Sequence, residues 1–300
     1  VYTGPEYGKL TPEQQRLTWR KYTARVRQGA KLEGAQKQRL SAINQRLAGL
    51  YTAFGQNVLA DEESYVVFLD NEGDLAGLPD SIRATAAAAA EARGQKGKWA
   101  ITNTRSSAEP FLTYSDRGDL REKVFHNYTN RGDNGDAHDN NGVIREILKL
   151  RAERAKLLGY ETHAHWRLEN AMAKTPERAT ALMEAVWKPA VARTREEVAE
   201  LLAVAKAEAK KAGAKAPTAI APWDYRYYAE KVRKAKYDLS ANEVKPYMQL
   251  EKLREGMFWV AGELFGFAFS PVENAPVYHP DVRVWEVKDK TSGKHVGLWY

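Results

Sequence analysis

The sequence predicts a mainly α-helical protein with a small β-hairpin at its C-terminal end. Alanine, leucine, glutamate, lysine and arginine, which all favour helices, dominate its 300 residues. Long segments carry apolar residues three and four positions apart, as amphipathic helices do. Only the stretch after Val282 alternates apolar and polar residues in the manner of a half-buried strand. These three observations together predict the fold class.

Two long helices are predicted near the start of the chain. Thr11 is a good N-cap, Pro12 suits the first helical position, and the helix runs to about Gly29. A second helix is predicted over residues 33–58. Its apolar stripe consists of Leu40, Ile43, Leu47, Leu50 and Phe54. Two consecutive amphipathic helices predict a helical hairpin.

The middle of the chain also reads mainly as helix. Helices are predicted over residues 82–93, 115–131, 142–158, 162–172 and 175–211. Gly159 is a natural C-cap, and Pro189 is expected to kink or interrupt the longest helix. The apolar run 64–69 is too short to assign, whereas residues 99–102 predict a short strand.

The C-terminal part changes character. Helices are predicted over 223–236 and 250–265, and strands over 282–287 and 295–300, which form a hairpin around the turn between them. We therefore expect a helical lobe over 1–275 and a hairpin over 276–300 that enters a further domain. Because the second strand reaches Tyr300, we expect the chain to be a fragment that is truncated within this strand.

Composition excludes several classes of function. The absence of cysteine excludes disulfides, thiolate metal sites and thiol nucleophiles. No run approaches the roughly 20 apolar residues of a membrane span, and the first residues do not resemble a signal peptide. The net charge is +7, but basic and acidic residues alternate on helix faces and the densest basic run, 231–236, is short. We therefore predict neither a membrane nor a nucleic acid as a partner.

The residues alone identify no catalytic machinery. A helical zinc site needs two histidines four residues apart, and the sequence contains no His-Glu-x-x-His. His163 and His165 are two apart, so on a helix they would point about 200° from each other. The nucleophile elbow and the two glycine-rich nucleotide motifs are also absent. A serine triad or a carboxylate pair formed by distant residues stays open.

Particular residues of the C-terminal third nevertheless match a known pattern. The stretch APWDYRYYAE at 221–230, followed by YDL at 237–239, and the stretch VYHPDVRVWEV at 277–287 resemble signatures of the thimet-oligopeptidase family of zinc peptidases. Residues 245–247 and 256–259, between these two stretches, also fit, and looser, collinear matches occur further back at 75–79, 158–160, 165–166 and 172–176. The resemblance therefore covers nearly the whole chain. Among family members, bacterial peptidyl-dipeptidases, also called dipeptidyl carboxypeptidases, are the most similar.

The resemblance implies a neurolysin/thimet-oligopeptidase-like fold, in which helical lobes enclose a deep channel with zinc at its floor. In the family, zinc is held by the two histidines of His-Glu-x-x-His and a downstream glutamate, so this chain is expected to contain no catalytic residue and no metal ligand. The implied partners are oligopeptide substrates and a C-terminal catalytic segment. A cytoplasmic location is expected, with the periplasm as the alternative. An endo-acting oligopeptidase and a non-enzymatic helical binding module remain open.

Three residues near the hairpin are candidates for lining the substrate channel: His279, Arg283 and Trp285. Arg283 could bind a substrate carboxylate or form a salt bridge within the sheet. His279 could donate to the substrate or cap the strand, and Trp285 could contact the substrate or belong to the core. A second aromatic set is predicted to pack in the helical core. It comprises Trp223, Tyr225, Tyr227 and Tyr228.

Overall fold

The computed structural model describes residues 2–237 and 241–300, and it confirms the mainly α-helical class with a small C-terminal sheet. The chain forms two compact units, Val1–Arg233 and Lys234–Tyr300. Two residues of the first signature, Asp238 and Leu239, lie outside the described residues. The predicted boundary between residues 275 and 276 stays a prediction. Among the described residues, no helix has the length and apolar character needed to cross a membrane.

The first unit is built from helices and one two-stranded sheet. Its helices are α1 (Pro12–Arg27), α2 (Gly34–Ser64), α3 (Asp80–Glu91), α4 (Arg105–Tyr114), α5 (Gly118–Thr129), α6 (Asn141–Leu157), α7 (His163–Leu168), α8 (Pro176–Lys211) and α9 (Tyr225–Tyr237), the last of which continues past Arg233. Strands β1 (Val67–Leu69) and β2 (Trp99–Ile101) pair antiparallel.

Several helix ends follow directly from the predicted capping chemistry. Thr11 caps α1 in a reciprocal capping box with Gln14, and Gly159 follows α6 with a positive φ of 83°. Helix α7 ends at Leu168, four residues before the predicted end. Helix α8 is continuous through Pro189, so the proline does not interrupt it, and the alternative of a kink stays a prediction. Pro removes only one backbone hydrogen bond, which a helix of this length tolerates.

The main core of the first unit lies between the two-stranded sheet and helices α3, α4 and α5. Its buried members are Val67, Leu69, Leu75, Leu78, Ala86, Ile101, Ala108, Phe111, Leu112 and Val124. Helix α4 was not predicted, because Ser and Thr residues and Pro110 make its sequence a poor helix former. Burial of Ala108, Phe111 and Leu112 against this core overrides that weak local preference.

A second core lies between α2 and α6. Ile43, Leu47 and Leu50 of the predicted stripe pack against Ile147 and Leu150. The apolar face of α2 is therefore covered by α6, and not by α1 as the predicted hairpin required. Phe54, the last member of that stripe, is 38% exposed. Helix α2 also continues six residues beyond the predicted end at residue 58.

The second unit is built around one long helix that packs on a three-stranded sheet. It contains α10 (Ala241–Val244), α11 (Leu250–Phe265), β3 (Phe267–Val272), β4 (Val284–Asp289) and β5 (His295–Trp299). Helix α11 has the predicted bounds and ends at Gly266, whose φ of 66° is left-handed. The sheet is antiparallel with the order β3-β4-β5. The predicted β4–β5 hairpin is confirmed, and β3 is an additional strand that was not predicted.

Candidate functional site

The first signature segment attaches helix α9 to helix α5 through a buried ion pair. Arg121 on α5 has a side chain only 5% exposed, and its Nε and Nη2 atoms donate to Oδ1 of Asp224 at 3.0 and 2.6 Å. Its Nη1 donates to the carbonyl of Ser115. A buried guanidinium needs this kind of partner set, because isolated burial of a charge is costly. The signature residue Asp224 is thus a structural anchor.

The aromatic residues of the same segment complete this anchor. The Arg121 guanidinium carbon lies 4.0 Å from the centre of the Tyr227 ring, and the Tyr227 hydroxyl donates to Asp116 at 2.8 Å. Burial raises the pKa of the Tyr227 hydroxyl, so it stays a donor at neutral pH. Tyr227 is buried and Trp223 packs on the main core, as predicted, whereas Tyr225 is 39% exposed.

In the second unit, Trp285 belongs to an aromatic cluster between α11 and the sheet. Phe258 of α11 stacks on Phe269 with ring centres 4.1 Å apart, and it meets Trp285 and Trp299 edge-on at 5.6 and 5.1 Å. The rings of Trp285 and Trp299 lie on adjacent strands at 5.2 Å. Offset and edge-on pairs of this kind add to the burial energy of the rings. The ring of Trp285 is therefore held by packing on its neighbours.

Arg283 is held by Glu251 at the start of α11. Its two terminal nitrogens donate to the two carboxylate oxygens at 3.2 and 2.6 Å, a bidentate arrangement. The hydrogen bonds from Arg283 lower the pKa of the Glu251 carboxyl. Both side chains are about half exposed, so water can reach the pair. A substrate carboxylate at Arg283 would have to compete with Glu251.

His279 presents its ring to solvent more freely than the other two candidates do. Its side chain is 61% exposed, and its Nδ1 accepts a hydrogen bond from the backbone N–H of Asp281 at 3.3 Å. Its neighbour Tyr278 is 88% exposed. The Nε2 atom of His279 has no hydrogen-bond partner among the described residues. The loop between β3 and β4 therefore offers one imidazole and one phenol side by side.

The residues present do not match the metal site that the resemblance implies. The sequence contains no two histidines four residues apart with a glutamate between them. Within the described ranges, one group of potential ligands comes together, formed by Asp61, Asp136 and His138. It has a single imidazole and no glutamate base, so it is a different kind of site. No chemical step is therefore assigned to zinc in this chain.

The sequence does not predict this group, because its members are distant along the chain. Asp61 lies in the last turns of α2, 75 positions before Asp136. The available signal was the density of aspartate, asparagine and histidine between 133 and 141. Such a stretch is polar enough for a surface loop, and nothing in it predicts the buried partner.

An open groove in the first unit brings together no predicted site residue. It runs along α4 and is lined by Glu62, Arg105, Glu109, Tyr114 and Arg226 among others. Arg105 and Arg226 both pair with Glu109, at 3.1 and 2.9 Å. The charges of the groove thus largely neutralise one another, and we assign no ligand to it.

Comparison with known proteins supplies the family. Residues 111–300 match Peptidase family M3. The chain is 37% identical over 273 residues to the dipeptidyl carboxypeptidase of Escherichia coli (strain K12), which covers 91% of this chain and 39% of that protein. It is 34% identical to the probable cytosolic oligopeptidase A of Arabidopsis thaliana, over 100% of this chain and 43% of that protein.

Oligopeptidase A of Escherichia coli (strain K12) is 34% identical over 88% of this chain and 38% of its own length. The chain thus spans about two fifths of the length of these relatives. The similarity extends over both compact units and includes both signature segments, so the family expected from the residues is confirmed. This chain belongs to peptidase family M3.

Proposed function

We propose that the chain is the non-catalytic front part of a zinc peptidyl-dipeptidase, a cytoplasmic enzyme that releases dipeptides from the C-termini of oligopeptides. The observation that carries this proposal is the 37% identity with dipeptidyl carboxypeptidases of Escherichia coli and Salmonella typhimurium. Oligopeptidases A of the same two organisms are 34% identical over a slightly shorter stretch. An oligopeptidase that cuts within peptides is therefore the second candidate.

The catalytic chemistry is proposed to reside in a segment that follows these 300 residues. The histidine pair and the glutamate base that the family uses do not occur in this sequence. The residues present here would instead shape the channel and hold the sheet beside the metal. A narrow channel admits flexible peptides and excludes folded proteins, so the helical wall would select substrates by size.

The exposed apolar face of α11 supports the proposal that a further protein segment packs on the second unit. One face of the helix packs on the sheet through Phe258, whereas a stripe on the helix stays exposed to solvent. The stripe comprises Leu250, Leu253, Met257, Val260 and Leu264, each between 44% and 73% exposed. This three- and four-residue spacing is typical of a helix that is covered on that side. We propose that the catalytic segment covers it.

The three candidates around β4 are proposed to line the channel in different ways. His279 would contact the peptide directly, because its ring is exposed and its Nε2 is available. Arg283 would supply positive charge near the substrate carboxylate while it stays paired with Glu251. Trp285 would orient the Arg283 side chain through a cation–π contact, since the guanidinium carbon lies 5.6 Å from the centre of its ring.

Product analysis with two matched peptides tests the proposed activity. The complete protein that contains this chain is incubated with one peptide carrying a free C-terminal carboxylate and with the same peptide carrying a C-terminal amide. A peptidyl-dipeptidase should release a dipeptide from the first peptide and leave the second intact. Internal cleavage of both peptides at similar rates would instead establish the oligopeptidase. If neither peptide is cleaved when zinc is supplied, the proposal that the complete protein is a peptidase is refuted.

A further inference from the structure

A fully buried carboxylate lies at the C-terminal end of α2. Asp61 has a side chain with 0% exposure. Its Oδ2 atom accepts hydrogen bonds from the backbone N–H of Gly132 at 2.7 Å and from the side-chain amide of Asn134 at 2.8 Å. These bonds attach the loop after α5 to α2. They satisfy one of the two carboxylate oxygens.

The other oxygen, Oδ1, is buried and accepts no hydrogen bond from any described residue. An uncompensated carboxylate oxygen in a protein interior is costly, so native structures normally supply a donor or a cation. Arg131, next to Gly132, donates instead to Glu62 and to the carbonyl of Tyr128. Oδ1 of Asp61 therefore lacks a hydrogen-bond donor among the described residues.

Two further ligand groups face this side. The Nδ1 atom of His138 lies 3.8 Å from Oδ1 of Asp61, too far for a hydrogen bond. The carboxylate of Asp136 joins them, and ligand atoms of the three residues all lie within 4.8 Å of one another. Asp136 is itself oriented, because it accepts from the backbone N–H of His138 at 2.8 Å and from the Tyr65 hydroxyl at 2.9 Å.

The three groups are close enough for one metal ion to bring them together after small side-chain movements. Ligand atoms bound to tetrahedral zinc at about 2.0–2.2 Å lie about 3.3–3.6 Å apart, so the 3.8 Å separation of Asp61 and His138 would have to shorten by a few tenths of an ångström. Asp136 is exposed, so its carboxylate is free to move, by up to roughly 1.4 Å, to join them. The hydrogen bond from Tyr65 would act as an outer-shell contact that fixes the orientation of the ligand.

The donor set indicates the class of ion. One imidazole nitrogen with two carboxylate oxygens suits zinc or a neighbouring first-row divalent ion, whereas calcium and magnesium prefer oxygen ligands alone. We propose that Asp61, Asp136 and His138 form a binding site for a first-row divalent transition-metal ion, separate from the catalytic zinc of the family. The ion would supply the missing partner of Asp61.

The proposed site has a structural role. Asp61 belongs to α2, and both other ligands belong to the loop that connects α5 to α6. That loop already contacts α2 through the side chains of Asn57 and Asn140, which are hydrogen-bonded at 2.9 Å. A bound ion would add a further attachment to these hydrogen bonds, and it would stabilise the folded chain more as its affinity and concentration rise.

Zinc binding by the 300-residue chain tests the proposal. The chain is freed of metal by a chelator, and Zn²⁺ is then titrated calorimetrically, with metal content measured after dialysis. Because the sequence has no His-Glu-x-x-His, zinc bound here cannot be the catalytic ion of the family. We expect one equivalent per chain, a rise in Tm with added Zn²⁺, and at least tenfold weaker binding of Ca²⁺ and Mg²⁺.

Two substitutions and one control locate the site. Asp61→Asn keeps the shape and the oxygen that accepts from Gly132, and it places an amide where the ion would bind. His138→Ala removes the imidazole from an accessible loop, and it serves if the buried substitution prevents folding. Each should weaken Zn²⁺ binding at least tenfold, whereas His279→Ala, the same change at an exposed histidine, should leave it unchanged. Circular dichroism verifies that each variant is folded.

Three results would overturn the proposal. These are the absence of a stoichiometric Zn²⁺ site, a site that survives both Asp61→Asn and His138→Ala, and equal or tighter binding of Ca²⁺ or Mg²⁺. A ¹⁵N spectrum of the histidines adds an independent readout. Zn²⁺ should shift the Nδ1 signal of His138, and a spectrum in which only other histidines respond would place the metal elsewhere. None of these outcomes bears on the activity of the complete protein.

Discussion

Replacing Asp224 by alanine removes the partner of the most buried ion pair in the first signature. In the structure, Asp224 accepts two hydrogen bonds from Arg121, whose side chain is 5% exposed. After the substitution, the guanidinium keeps the Ser115 carbonyl and the face of the Tyr227 ring but has no counter-charge. We expect a large loss of stability, because the cation cannot leave its site without unpacking α5.

The magnitude follows from the burial of the two groups. Breaking a buried ion pair by removing one partner typically costs about 3–5 kcal/mol. The side chain of Asp224 is 24% exposed, so water can enter the space it leaves and solvate Arg121 in part. We therefore expect a loss of about 2–4 kcal/mol in the free energy of unfolding. Asp224→Asn keeps one acceptor and should fall between the wild type and alanine.

Urea denaturation followed by circular dichroism measures the effect, with the slope of the transition checked for constancy. The control is Asp70→Ala. Asp70 pairs with Lys98 at 2.8 Å, but the lysine and aspartate side chains are 43% and 67% exposed. Removing that pair should cost less than about 1 kcal/mol. Equal effects of Asp224→Ala and Asp70→Ala would refute the reasoning that the signature acts as a buried anchor.

Three further predictions concern other parts of the chain. Gly77→Ala should lower the free energy of unfolding, measured by thermal unfolding, by at least about 2 kcal/mol. The φ of Gly77 is +82°, and a Cβ there would lie 2.3 Å from the Tyr114 carbonyl oxygen. A change below about 0.5 kcal/mol would contradict this geometry. Burial and neighbouring arginines lower the pKa of His163 below its usual 6.5, so the unfolded chain takes up the proton first and stability should fall as pH drops below about 6.5. His163→Gln should reduce this loss of stability at low pH, as measured by urea titrations at several pH values. A pH profile equal to that of the wild type would contradict the lowered pKa of His163. Phe258→Ala should abolish most of the near-ultraviolet dichroism of the Trp285 cluster and cost about 2–4 kcal/mol, and an unaltered spectrum would exclude the stacked arrangement.

The parts of the fold with strong local signals were predictable from the sequence. Helix α11 has the predicted bounds, because its apolar spacing is regular and Gly266 ends it with a left-handed residue. The β4–β5 hairpin follows from alternation around a polar turn. By contrast, α4 contains Pro110 and poor helix formers, and only its burial in the main core makes it a helix. The local sequence pattern cannot predict this stabilisation, because it comes from packing against distant residues.

Strand β3 and the partner of α2 were missed for a related reason. Strand β3 follows α11 after one residue and includes Pro271, so its sequence alone does not favour a strand; pairing with β4, along Phe267 to Val272, defines it. The stripe of α2 was predicted correctly, but the sequence does not indicate which helix covers it. Pairing between distant segments is a property of the folded chain.

The candidate site was only partly predictable. The sequence led to His279, Arg283 and Trp285 through the resemblance, and the structure places all three in one unit on or beside β4. The contacts of Arg283 with Glu251 and of Trp285 with aromatic rings could not be predicted, because they depend on how α11 packs on the sheet. The Asp61 group could not be predicted, because its buried member and its loop members are connected only by the packing of α2.

The central proposal is that residues 1–300 shape the substrate channel of a family M3 peptidase whose catalytic residues lie outside them. The most direct test compares dipeptide release from a peptide with a free C-terminus by the 300-residue chain and by the complete protein, both supplied with zinc and followed by mass spectrometry. We predict release by the complete protein and none by the chain, even when the chain has bound zinc. Release of dipeptides by the chain alone, dependent on zinc and abolished by a chelator, would contradict this proposal.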